Sequence, residues 1–82
     1  MQCPCCDHYS LDDIYDICPV CFWEYDGFDI DKPDVRSPCN RLTIREARAN
    51  FRRLGACEAD MLPNVLPPEE RHSFRFLPRE LG

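Results

Sequence analysis

Three features of this 82-residue sequence predict a small α+β domain: two matching cysteine turns, one well-capped helix, and a length that allows one domain only. Apolar residues are 44% of the chain, enough for a small core but short of a self-sufficient one. Chains of this size commonly need a metal or disulfide staple. The seven cysteines, about 8.5% of the residues, point the same way. The expected arrangement is a β-hairpin carrying two cysteine turns, packed on one amphipathic helix and followed by an irregular C-terminal segment. The expected division of the single domain 1–82 is into cysteine turns and hairpin (1–25), an acidic loop (26–42), a helix (43–55) and a Pro-broken remainder (56–82).

The cysteine turns carry the strongest signal. Cys3-Pro4-Cys5-Cys6 and Cys18-Pro19-Val20-Cys21 are both C-P-x-C, with eleven residues between Cys6 and Cys18. Each C-x-x-C turn sets two sulfurs on one side of a tight loop, close enough to share a tetrahedral ion at about 2.3 Å per bond. Proline after the first cysteine fixes φ and removes a competing amide. Cys3, Cys6, Cys18 and Cys21 are therefore the expected ligands. Between the pairs, Tyr9–Ile17 contains two short β-prone stretches around Asp12-Asp13, which predicts a hairpin that brings the turns together.

Four thiolates in a tetrahedron suit Zn²⁺ or iron. The Glu24-Tyr25-Asp26 stretch resembles rubredoxin, an iron electron carrier. Rubredoxin-type turns carry Gly after the second cysteine, whereas Asp7 and Phe22 stand there in this chain, so zinc is favoured. Three cysteines remain. Cys5 adjoins two expected ligands and is an alternative ligand or a redox thiol. Cys57 is expected to be a buried free thiol, and Cys39 an exposed loop thiol. His8 and His72 are secondary ligand candidates.

Residues 26–41 are rich in Asp, Pro, Gly and Ser and read as a loop. Their aspartates do not match a calcium loop, which needs Gly at its sixth position and Glu at its twelfth. In 43–54, Thr43 and Glu46 form a capping box, Gly55 follows the last turn, and Ile44, Ala47, Phe51 and Leu54 define one apolar face. Arg45, Arg48 and Arg52 make a second stripe that is read as solvent-facing, or as a contact surface for phosphate or an acidic partner. Further on, Met61-Leu62 with Val65-Leu66 suggests a helical turn or ordered loop, Pro67–Arg71 a helix entry or turn, and Ser73–Leu77 an edge strand.

The net charge of −5 is unevenly spread: −8 over residues 1–34 and +3 over 35–82. A duplex-DNA binder would be basic. No apolar run reaches the length of about 18 residues that a membrane span needs. Met1-Gln2-Cys3-Pro4 lacks the basic and apolar regions of a secretory signal. With an odd cysteine count, this places the chain in a reducing, cytoplasmic setting where thiolates bind metal. Either C-x-x-C as a thioredoxin-type centre lacks its βαβ context, and no base is set for cysteine-protease chemistry, so no enzyme activity is expected.

Four motifs in order now carry a resemblance: Cys3-Pro4-Cys5-Cys6, Ile17-Cys18-Pro19-Val20-Cys21-Phe22-Trp23-Glu24, Glu46-Ala47-Arg48-Ala49-Asn50-Phe51 and Gly55-Ala56-Cys57. Over roughly residues 3–62 the chain resembles the bacterial cysteine-rich CPCC family. The resemblance implies a small zinc-ribbon-like protein without an assigned reaction, an accessory protein similar to neighbours of secreted toxins, and hence an immunity role. Cys39 departs from the pattern. The leading expectation is a non-enzymatic zinc module that binds a protein, a basic toxin being the expected kind, through Trp23, Tyr25, Asp26, Asp29, Asp31, Arg45, Arg48 and Arg52. The alternatives are RNA or single-strand binding through the arginine face, and a thiol redox sensor or rubredoxin-like electron carrier.

Overall fold

The computed structural model describes residues 1–81. One α-helix, α1 (Ile44–Leu54), is followed by two 3₁₀ helices, Ala59–Asn64 and Pro68–Ser73. Pairing elsewhere among the described residues is limited to four isolated antiparallel bridges, Gln2 with Tyr9, Ile17 with Glu24, Arg36 with Thr43 and His8 with Phe76. The fold is mixed, with very little sheet.

The expected hairpin between the cysteine pairs does not form. The Asp16 carboxylate accepts the amides of Asp12 and Asp13 at 2.8 and 2.9 Å, folding that segment back on itself. Pairing instead brackets each cysteine turn. The Cys3 amide donates to the His8 carbonyl at 2.8 Å, and the Asp7 amide returns to the Cys3 carbonyl at 3.0 Å. Fifteen residues later the pattern repeats: Cys18 N–H to Trp23 C=O at 2.8 Å, Phe22 N–H to Cys18 C=O at 2.7 Å. Asp7 (φ 67°) and Phe22 (φ 69°) are both left-handed, at the very position where glycine would cost least.

The loop read from residues 26–41 contains the same turn a third time. Ser37 N–H donates to Leu42 C=O and Arg41 N–H to Ser37 C=O, both at 2.8 Å, with Arg41 at φ 63° and a flanking bridge from Arg36 to Thr43. The sequence there is Ser37-Pro38-Cys39-Asn40, so Ser and Asn replace the two cysteines. Their side chains bond each other directly, Asn40 Nδ2 to Ser37 Oγ at 2.8 Å. Asn40 also grips Glu24, accepting its amide at 2.9 Å and donating to its carbonyl at 2.8 Å. This hydrogen-bonded turn thereby docks on the second cysteine turn.

Helix α1 forms as its caps predict. Thr43 and Glu46 exchange side-chain and backbone bonds, and Gly55 (φ 90°) closes the C-terminus. Arg71 secures that end, donating to Gly55 C=O at 3.0 Å with its guanidinium 5.3 Å above the Phe51 ring. The buried residues of the helix are Ile44, Ala47 and Arg48. Leu54, expected on the apolar face, is at the exposed edge. After the second 3₁₀ helix, Tyr9 N–H meets Arg75 C=O at 2.8 Å, and Phe76 bridges His8, so the expected edge pairing is a single bridge. No described helix is long and apolar enough to cross a membrane.

Candidate metal centre

The two cysteine turns face each other and bring their sulfurs together. Cys3 Sγ lies 3.6 Å from Cys21 Sγ, and Cys6 Sγ lies 3.6 Å from Cys18 Sγ. The ligand atoms of all four fall within 4.8 Å of one another, and all four residues are buried. Four sulfurs at about 2.3 Å from a central ion in a tetrahedron stand about 3.8 Å apart. The cluster fits that figure.

The surroundings favour thiolate at one position. Cys18 is held low because the thiols of Cys21, Cys3 and Cys6 all direct hydrogen bonds at it, with the Ser10 hydroxyl 2.9 Å away. The Val20 amide adds a donor at 3.4 Å. Cys6 is pushed up by donating to Cys18, and Cys21 by burial and by its thiol neighbours. Four buried sulfurs set this close to one another are a cluster short of positive charge. A divalent cation supplies that charge and displaces the protons.

Cys5 stands outside the four. It is buried against a cavity of about 260 Å³ that Asp7, Arg48, Phe51 and Arg79 also line. Burial and the neighbouring Cys3 and Cys18 charges push its thiol up, against a hydrogen bond with Cys21. Cys57 is buried as expected, its thiol pushed up to about 12 chiefly by burial, and Cys39 is exposed as expected. His8 is not a member of the sulfur cluster. Its ring packs against Phe76 at a tilt of 34° with centroids 4.7 Å apart, and burial lowers its pKa.

Two residues expected on a contact surface lie inside the protein. Trp23 has 0% exposure, because its position two residues after Cys21 carries it under the second turn into the core. Arg48 is 7% exposed. It lies four residues after Ile44 and three before Phe51, on the buried face of α1 rather than opposite it. The reading of Arg45, Arg48 and Arg52 as one solvent-facing stripe is thus corrected. Arg45 is exposed and pairs with Asp34 at 2.8 Å, and Arg52 is exposed. Of the remaining expected residues, Asp31 is exposed while Tyr25, Asp26 and Asp29 are half-buried.

Arg48 owes its burial to Asp7. Its guanidinium meets the carboxylate with two bonds of 2.8 Å, and Arg79 adds its Nε at 2.9 Å and its own amide at 2.8 Å. Burial alone would raise the Asp7 pKa, but these donors outweigh it and hold the carboxyl below its ordinary range. Nothing in the spacing of Asp7, Arg48 and Arg79 marks them as partners. The one available signal was an arginine on the apolar side of an amphipathic helix.

Residues 1–72 match the family described as Cysteine-rich CPCC. The chain belongs to that family. No curated protein and no solved structure matches the chain. Within this CPCC protein, the matched stretch contains both cysteine turns, the serine turn and α1, while Arg79 lies beyond it. The four-cysteine cluster is compatible with metal binding.

Proposed function

We propose that this CPCC protein is a zinc-stapled, non-enzymatic binding module that acts in the cytoplasm and recognises a basic protein, a toxin it neutralises being the kind of partner that fits best. The buried four-sulfur cluster carries the metal part of the reading. Four protein ligands close a tetrahedral site, and a catalytic zinc would keep one position open. When bound, zinc would cross-link the two turns and offset half the charge of their four thiolates. The chain's own part is to present Cys3, Cys6, Cys18 and Cys21 on two pre-shaped turns.

The partner part rests on surface chemistry. The first 34 residues carry −8, and Asp12, Asp13 and Asp31 are exposed. Between the cysteine turns Ile14, Tyr15 and Ile17 are large apolar side chains open to solvent. Exposed apolar side chains following the exposed Asp12 and Asp13 in the chain suit a basic partner with an apolar patch. Nucleic-acid binding is the weaker reading, because Arg48 is buried and Arg45 is neutralised by Asp34. No specific contact favours a redox role over a structural one.

Metal analysis of the purified protein tests the first part: one zinc per chain and a colourless solution are expected, and a visible iron–thiolate spectrum would overturn the assignment. For the partner, purification from the source cell at low salt should recover a basic protein that is released at about 1 M salt, where the Debye length is about 3 Å. Loss of that protein on Asp12→Asn with Asp13→Asn supports the reading. Retention that ignores both salt and these changes defeats it.

A further inference from the structure

We infer that Asp7, Arg48 and Arg79 form a positioning clamp that couples ion binding at the cysteine cluster to docking of the C-terminal tail, residues 74–81. This rests on the reading of the four cysteines as a zinc site.

The carboxylate of Asp7 accepts four hydrogen bonds, two from the Arg48 guanidinium and two from Arg79, which fills its acceptor capacity. The same two arginines reach past Asp7 to the backbone of the first cysteine turn. Arg48 Nη1 donates to Pro4 C=O at 2.9 Å, and Arg79 Nη2 to Cys3 C=O at 3.2 Å. Three points of the turn that presents Cys3 and Cys6 are thus held by two guanidinium groups. One comes from α1 and the other from the tail.

The geometry held is a costly one. Asp7 is left-handed at φ 67°, a conformation an L side chain adopts at a cost, and its carboxylate anchors it there. The tail has further bonds to the same turn. Leu77 N–H donates to Asp7 C=O at 3.4 Å, Gln2 Nε2 bridges Asp7 C=O and Leu77 C=O at 3.0 and 2.7 Å, and Arg48 Nη2 donates to Arg79 C=O at 2.6 Å. Arg79 also reaches Asp29 at 3.3 Å. The contacts to Cys3, Pro4 and Asp7 need the first turn in the shape that gathers its sulfurs with Cys18 and Cys21.

Coupling follows from linkage. A tail that binds only the gathered turn favours ion binding, and the ion must favour tail docking by the same factor. The groups involved sit one step beyond the ligands, where losing a partner commonly weakens metal binding about 10- to 100-fold.

The test uses Zn²⁺ competition against a chromophoric chelator, for the full chain and for Arg79→Ala, Arg79→Lys and Arg45→Ala. Arg79→Ala should weaken zinc binding about 10- to 100-fold, and Arg79→Lys should restore little of it, since an ammonium cannot span Asp7 and Cys3 as a planar fork does. Arg45→Ala, which breaks only the exposed pair with Asp34, should leave affinity unchanged. Limited trypsin digestion of the zinc-loaded proteins gives the second readout. Arg79→Ala should open cleavage after Arg75 while sites after Arg52 and Arg53 in α1 stay slow. An opened tail with unchanged zinc affinity overturns the coupling alone. Absence of zinc uptake by the unaltered chain overturns the zinc assignment and the coupling with it.

Discussion

Cys39 is the exposed thiol among the six buried ones, yet exposure alone does not set its reactivity. A hydrogen bond with the Glu24 carboxylate raises its pKa, and the negative charges of Glu24 and Asp26 act in the same direction. The thiolate is the reactive form, so at a given pH less of it is present than for a free cysteine. Alkylation of the folded protein should therefore mark Cys39 first, with a rate midpoint above the ordinary thiol value. Glu24→Gln should move that midpoint to lower pH. An unmoved pH–rate curve would show that Glu24 does not control the thiol. Cys57, pushed up to about 12 and buried, should react only after unfolding. Peptide mapping after timed alkylation reads both. The two fates were legible in part: Gly55-Ala56-Cys57 at a helix end implied burial, while no pattern tied Cys39 to Glu24, fifteen residues away.

At the scale of elements, the three related turns show what a cysteine turn is made of apart from cysteine. Each has proline second, a left-handed fifth residue and a hydrogen bond from the fifth amide to the first carbonyl. In Ser37–Arg41 the side-chain bond from Asn40 to Ser37 closes what the sulfur cluster brings together in the others. Arg41 therefore carries the left-handed cost with no metal ligand beside it, and its side chain is exposed. Arg41→Gly should relieve that strain and raise stability by about 0.5–1 kcal/mol, read as a higher urea midpoint with an unchanged m-value. Gly55→Ala tests the opposite sense. At φ 90° an added Cβ meets Arg71 at an ordinary contact distance, so the cost is one of backbone strain. It should lower stability by about 1–2 kcal/mol. The ends of the helix were legible because their signals, Thr43 with Glu46 and then Gly55, are local in sequence. The third turn could have been seen from Ser37-Pro38-Cys39-Asn40 once Ser and Asn are treated as polar stand-ins for a cysteine pair. The hairpin failed as an expectation because the turn signal at Asp12-Asp13 is met by a local turn whose side-chain acceptor, Asp16, lies within the same segment. Arg48 was misplaced because its partner Asp7 is 41 residues away, and helical spacing records a face without saying what it meets.

For the molecule as a whole, the composition of the core decides how much depends on the ion. Of the eleven residues in the central cluster six are cysteines, and only Leu11, Val20, Trp23, Ile44 and Ala47 supply other apolar mass. Helix α1 has eleven residues, below the length at which an isolated helix persists in water. Its buried face packs on the cysteine turns, so the helix depends on their staying together. An 82-residue domain is ordinarily stable by about 4–12 kcal/mol, whereas structural zinc in small finger peptides supplies an apparent 10–16 kcal/mol or so. A zinc ion held by the four cysteines would thus contribute as much as the whole expected stability. Removing it with a strong chelator should abolish cooperative unfolding and the helical circular-dichroism signal together, and readdition of Zn²⁺ under reducing conditions should restore both. Cys18→Ala should behave like the stripped protein even with zinc present, while Cys39→Ala should retain one ion and the native spectrum. The contrast between the two is the decisive measurement: a Cys39→Ala protein that also loses its zinc would mean the ligand set is not Cys3, Cys6, Cys18 and Cys21. A stripped protein that keeps a sharp transition would mean the apolar core, with the hydrophobics packed around it, and the Asp7 clamp suffice to hold the fold.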